Sequence, residues 1–283
     1  MEMVDIDSIE VINLIPKFLK FYEKANVDGL TQGERWTLWE KHYNFGAIPP
    51  GEEGRKLARS LLDKAWYKYL ENIELIRTWK PNQERVAECL TEVKALLGYS
   101  ESINFVVVYF VGAFEKNPFV APYDEKRLAL CLPIENGNSA ILLAHELTHI
   151  VHSKTADITA GWERTIACTI LQEGLATQAS KFLVPGEPEE VYIEYSENWL
   201  KSCKHNKKEI ISGIYPFLNN SSSEIVYKFT MGKGTTNHER EAYFIGWEVV
   251  GDLIRKGISY EELAMIKEKD MPEYIRCILN KEI

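Results

Sequence analysis

The spacing of apolar and polar positions changes along this chain, and each change marks an expected element. Asp7 stands where an N-cap would, ahead of an amphipathic stretch that runs to about Ala25, and predicts a first helix. Thr31 with Glu34 makes a capping box before RWTLWEKHY and predicts a second. The segment from Asn44 to Gly54 breaks the pattern. Two further helical segments are expected over about 55–79 and 82–98, separated by Lys80-Pro81 and closed by Gly98. Residues 103–111 are then rich in Val, Ile, Phe and Tyr, and 119–135 reads as two extended arms around an Asp124-Glu125-Lys126 turn, which together predict a small sheet. Asn136-Gly137-Asn138-Ser139 supplies turn and N-cap chemistry, and AILLAHELTHIVH continues as a mostly apolar helix. Beyond about 157 the pattern is helical again, with loops near 185–188, 219–223 and 231–236. The expected class is α+β, mostly helical, with a small mixed sheet packed beside the HELTH helix. An N-terminal lobe is expected over 1–156 and a helical C-terminal lobe over 157–283.

Composition narrows the function classes. A chain of 283 residues with net charge -9 and pI near 5.4 presents no basic stripe for a phosphate backbone, so nucleic acid is not an expected partner. The five cysteines are odd in number, widely spaced and never CxxC, which argues against a disulfide framework or a zinc ribbon and predicts reduced, buried thiols. The start, MEMVDIDSIEVINLIPKFLK, is acidic where a secretory signal carries positive charge, and no stretch approaches the roughly 20 apolar residues of a membrane span. The expectation is a soluble, cytoplasmic protein without a membrane partner.

The chemistry concentrates on His145-Glu146-Leu147-Thr148-His149. On a helix, positions four apart lie on one face about a turn apart, so His145 and His149 can reach one ion. Glu146 then lies beside it. Zinc hydrolysis uses this division: two neutral imidazoles hold the cation and a nearby carboxylate takes a proton from the activated water.

A catalytic zinc takes three protein ligands, so a third must come from elsewhere. His152 lies on the same helical stripe, one turn too far to close a tetrahedron easily. Asp157 follows the helix and would give an aspartate-ligated site. Glu173 lies in TIACTILQEGLATQASKF, with residues 150–172 between it and His149, enough chain to turn and run back across the first helix. It interrupts an otherwise apolar stretch beside the small residues Gly174 and Ala176, and a buried Glu needs a partner. Glu173 is the preferred third ligand.

HELTH and QEGLATQ together resemble the gluzincins, the thermolysin-like zinc peptidases with HExxH on one helix and a ligating Glu on the next. The order of helical N-terminal region, INFVVVYFVG strand, HELTH helix, EGLA helix and late EAYFIGWEVV segment is similar, over most of the chain, to an uncharacterised bacterial family of predicted Zn-dependent proteases. That resemblance implies His145, His149 and Glu173 as ligands, Glu146 as general base, and a zincin fold with a cleft between a sheet-bearing and a helical lobe. The metzincin pattern fails, because His152 and Thr155 stand where it needs Gly and His. A deformylase reading fails too, because Cys131 in RLALCLPIE lacks the Gly-rich surroundings of that class's cysteine ligand. Where thermolysin-like enzymes carry an acidic residue one turn after the ligand Glu, this chain has Thr177.

The expected reaction is hydrolysis of a peptide or protein substrate, with Glu146 taking and returning the proton. The oxyanion needs a further donor. Gluzincins often supply a Tyr or His from the C-terminal lobe, which points to Tyr243, with His238 and Arg240 behind it. One arm of 103–121 offers an edge for pairing with an extended substrate. The rival expectations are a catalytically silent zinc-fold binding or regulatory module and a hydrolase of a non-peptide amide.

Overall fold

The computed structural model describes residues 7–48, 51–115, 117–137, 139–159 and 161–282. Asn138, assigned turn and N-cap chemistry above, lies outside them. Contacts group the chain into two compact units, one of 1–86 with 102–139, the other of 87–101 with 140–283. By contacts the chain changes unit at 139/140, and the HELTH helix groups with the C-terminal helices.

The first unit is built on a four-stranded mixed sheet. Its strands are β1 (Ser8–Asn13), β2 (Asn104–Phe110), β3 (Phe119–Pro122) and β4 (Leu128–Pro133), in the order β1-β2-β4-β3. β1 and β4 run parallel to β2, and β3 is antiparallel to β4. The expected hairpin around Asp124 is present: the Asp124 carboxylate accepts from the backbone N–H of Lys126 (2.9 Å) and Arg127 (2.8 Å), an Asx-type turn. The first expected helix is corrected. Residues 8–13 form β1, and the helix α1 (Ile15–Ala25) starts only after it. Ile9, Val11 and Ile12 are β-branched and favour extended backbone. Asp7, instead of capping a helix, accepts from the N–H of Ile103 (2.7 Å) at the head of β2.

Helices α2 (Gln32–His42) and α3 (Glu52–Thr78), with α1 before them and one more helix over Gln83–Leu96 after them, lie in the connection that a parallel β1–β2 pair requires. The Thr31/Glu34 capping box at the start of α2 is formed. An aromatic cluster of Phe18, Phe21, Tyr43, Trp66 and Tyr69 fills the interior, with Phe18 and Phe21 fully buried. Each such side chain contributes about 1.5–3 kcal/mol through removal from water. Tyr43 Oη accepts from Val111 N (2.7 Å) and donates to Val111 O (2.8 Å), and Tyr69 Oη donates to Gly112 O (2.7 Å), so the cluster satisfies the backbone just beyond β2.

Helix α4 (Gln83–Leu96) carries the chain from the first unit into the second, and Gly98 ends it with φ +67°. The rest of the second unit is helical: α5 (Ala140–Thr155), α6 (Ile166–Leu183), α7 (Glu189–Ile193), α8 (Trp199–His205), α9 (Lys207–Ile214), α10 (Ser223–Thr230), α11 (Glu241–Arg255), α12 (Tyr260–Ala264) and α13 (Met271–Leu279). α6 is the centre. Residues 166–180 are buried on every side, as a helix without a continuous polar face must be, and α5, α11 and α13 pack around it. At the α6–α11 crossing Gly174 faces Gly246, and a Cβ on Gly246 would meet the Ile170 carbonyl and lie 2.8 Å from Gly174 N. The helices meet backbone to backbone, which only glycine at both positions permits.

None of the five cysteines is in a disulfide. Cys89, Cys131, Cys168 and Cys203 are buried, whereas Cys277, expected buried, is exposed on the short amphipathic α13. Among the described residues no helix is long and apolar enough to cross a membrane.

Candidate metal centre

α5 presents His145 and His149 one turn apart, with Nε2 atoms 3.1 Å from each other. α6 runs back across α5 and brings Glu173 to both: Oε2 lies 3.5 Å from His145 Nε2 and 3.4 Å from His149 Nε2. These three residues form a group that could hold a metal ion. Glu173 is sequestered, its side chain 4% exposed, while the two imidazoles remain partly open to the outside.

The other proposed third ligands lie elsewhere. Asp157 has φ +54°, and its exposed carboxylate pairs with Lys267 (2.8 Å). His152 is fully buried, and neither ring nitrogen has a hydrogen-bond partner. The Thr177 hydroxyl donates to the backbone carbonyl of Glu173 (2.8 Å) within its own helix, and does not reach either histidine.

Glu173 has a second partner. Arg164, just before the N-cap of α6, reaches over the first turns of that helix: Nη2 donates to Glu173 Oε1 (3.1 Å), Nε to Thr169 Oγ1 (3.2 Å) and Nη1 to Gln172 Oε1 (3.5 Å). One oxygen of Glu173 is therefore tied to Arg164 while the other faces the histidines. Burial opposes ionisation of Glu173, yet the charge of His149, the contacts of both histidines and Arg164 outweigh it and hold the carboxyl well below the usual range. For His145 burial disfavours the charged form, but Glu173 and Glu146 prevail and raise its pKa. Burial raises the pKa of Glu146, against the opposing pull of the two histidines. Glu146 is 7% exposed, and its carboxyl makes no hydrogen bond among the described residues.

Tyr243 and Arg240 stand at the start of α11. Burial and the Glu173 carboxylate raise the Tyr243 phenol well above its ordinary value, so it stays protonated at neutral pH. The Arg240 guanidinium lies over the rings of Tyr243 (4.8 Å) and Tyr195 (4.9 Å). Both ring nitrogens of His238 are engaged, with Ser202 Oγ (2.9 Å) and Thr236 Oγ1 (2.8 Å).

Sequence reasoning thus brought together His145, His149 and Glu173 and missed Arg164. The one available signal was an arginine within three residues of a buried apolar helix that carries a single acid in its middle. Comparison of the chain with protein-family models, curated proteins and solved structures finds no significant match in any of the three.

Proposed function

We propose that the chain is a zinc-dependent peptidase with a zincin-like arrangement of its active-site helices, in which Glu146 is the general base. The observation that carries this reading is the triangle of donor atoms from α5 and α6, with edges of 3.1, 3.4 and 3.5 Å. Ligands bound to zinc at about 2.0–2.1 Å with tetrahedral angles stand about 3.3 Å apart. Nitrogen and oxygen in a good hydrogen bond stand about 2.9–3.0 Å apart, so the histidine–glutamate edges suit a shared cation better than direct bonding. Two imidazoles and a carboxylate are also the donor set of hydrolytic zinc.

A bound zinc ion supplies Lewis-acid polarisation of a carbonyl and brings the pKa of water to about 7. The remaining work falls to side chains. His145, His149 and Glu173 hold the ion, and Arg164 fixes the Glu173 carboxylate through its other oxygen. Glu146, adjacent to the first ligand and free of hydrogen bonds, takes the proton of the attacking water and returns it to the leaving amine. Tyr243, held protonated, donates to the oxyanion. The excess of 42 acidic over 33 basic side chains favours a peptide or protein substrate over nucleic acid.

Glu146→Gln tests the reading against a silent zinc-fold module. The variant is expected to keep its metal by elemental analysis and to lose cleavage of a peptide library by several orders of magnitude. Equal cleavage by variant and wild type removes Glu146 from the mechanism, and absence of cleavage by metal-loaded wild type rejects the peptidase.

A further inference from the structure

We infer that Arg240 anchors a substrate carboxylate, so that the peptidase centre proposed above, on which this inference rests, takes peptides carrying a carboxylate next to the scissile bond. Arg240 stands immediately before α11 with φ +55° and ψ +38°, a left-handed conformation that a non-glycine residue adopts at a cost. Such strain persists only where the surroundings impose it. Here both neighbours are fixed. Glu241, fully buried, accepts from the backbone N–H of Thr235 (3.0 Å) and Thr236 (2.8 Å) and from the Thr236 hydroxyl (2.7 Å). The Glu239 carbonyl accepts from Trp199 Nε1 (2.7 Å).

The loop so built delivers a guanidinium onto the rings of Tyr195 and Tyr243, where it makes no hydrogen bond or ion pair among the described residues. This guanidinium acts electrostatically on His145 and Tyr243. The ring contacts orient the planar fork and leave its five N–H groups for a ligand. A carboxylate is the group that matches that fork in a bidentate manner. Contact with Tyr243, the oxyanion donor proposed above, places that carboxylate beside the reacting carbonyl. Two sources carry this chemistry: the C-terminal α-carboxylate of a peptide, or an internal Asp or Glu side chain.

The test uses full-length, zinc-loaded Glu146→Gln protein and isothermal calorimetry with three probes: N-acetyl-tetra-alanine as free acid, the same peptide as C-terminal amide, and an amidated analogue with one Glu. We expect one of the two carboxylate probes to bind about 10- to 100-fold tighter than the plain amide, the yield of a charge-assisted pair. Adding Arg240→Gln should erase that difference, and Arg240→Lys should restore part of it. Preference for the free acid assigns a carboxypeptidase-like mode, and preference for the Glu peptide assigns an acidic side-chain subsite. Equal binding of all three probes, or a preference that survives Arg240→Gln, overturns the assignment, and the first of these is read on protein with Arg240 intact. A carboxylate preference in a protein whose wild type cleaves nothing would reject the peptidase alone, whereas cleavage without that preference rejects the role of Arg240 alone.

Discussion

His152 offers a quantitative check on the interior around α5, through the replacement His152→Leu. Its ring is fully buried, both nitrogens lack partners, and burial, with the charge of His149 adding to it, lowers its pKa from 6.5 to about 3. In the unfolded chain the ring regains its ordinary value. Between these two values the unfolded state binds more protons than the folded state, so stability falls as pH falls. The contribution is fully present above pH 6.5 and is lost progressively towards pH 3. At about 1.36 kcal/mol per pKa unit, the whole shift corresponds to about 5 kcal/mol, of which about 2 kcal/mol is lost by pH 5. Leucine removes the titration and also two unsatisfied polar atoms, each costing about 1–3 kcal/mol when buried. At pH 8 the variant should therefore be no less stable than wild type. Urea unfolding of both proteins in EDTA, at pH 8 and pH 5, isolates the effect, because chelation keeps metal binding out of the comparison. Wild type should lose about 2 kcal/mol more than the variant between those pH values. Equal losses in the two proteins would show that His152 is protonated or partnered in the fold, and would refute the reasoning.

Two further outcomes follow from the packing around α6. Glu173→Ala should lose its metal by elemental analysis, while Arg164→Leu should keep the ligand set but bind metal about 10- to 100-fold more weakly in chelator competition; unchanged affinity in Arg164→Leu would show that Glu173 needs no second support. Gly246→Ala forces a methyl group into the Ile170 carbonyl and should destabilise by at least about 1–3 kcal/mol in thermal melts. A melting temperature equal to wild type would mean that α6 and α11 separate freely at this crossing.

The parts of the molecule legible in the sequence are those whose geometry is local. Histidines four apart share a face on any helix, the Thr31/Glu34 box closes within one turn, and a lone acid in a buried helix demands a partner. Each of these concerns residues close in the chain. What escaped depends on distant partners. Asp7 is equally suited to cap a helix or to accept from a neighbouring strand, and only the arrival of Ile103 decides between them. Asp157 is as good a ligand by type as Glu173, but Lys267, more than a hundred residues on, takes it. Gly174 was legible as a site of close helix approach, yet its closest partner, Gly246, lies on a helix far along the chain. Arg164 and Arg240 belong to no motif. One acts through a helix it does not join, and the other through a backbone conformation that composition does not reveal.

The chain leaves the first unit at residue 86, returns to it at 102, and leaves again after 139. Neither unit is a continuous stretch of polypeptide. During synthesis the first cannot be completed until β4 has been made, by which time the 87–101 segment of the second has already emerged. A single cut after residue 139 leaves the first unit still carrying the 87–101 segment of the second, and a fragment beginning at Ala140 would carry the whole candidate metal centre yet lack a piece of its own framework, including Gly98, which packs against Glu261. Attempts to produce the portion bearing His145, His149 and Glu173 on its own are therefore better made by shortening loops within the intact chain than by cutting the chain in two.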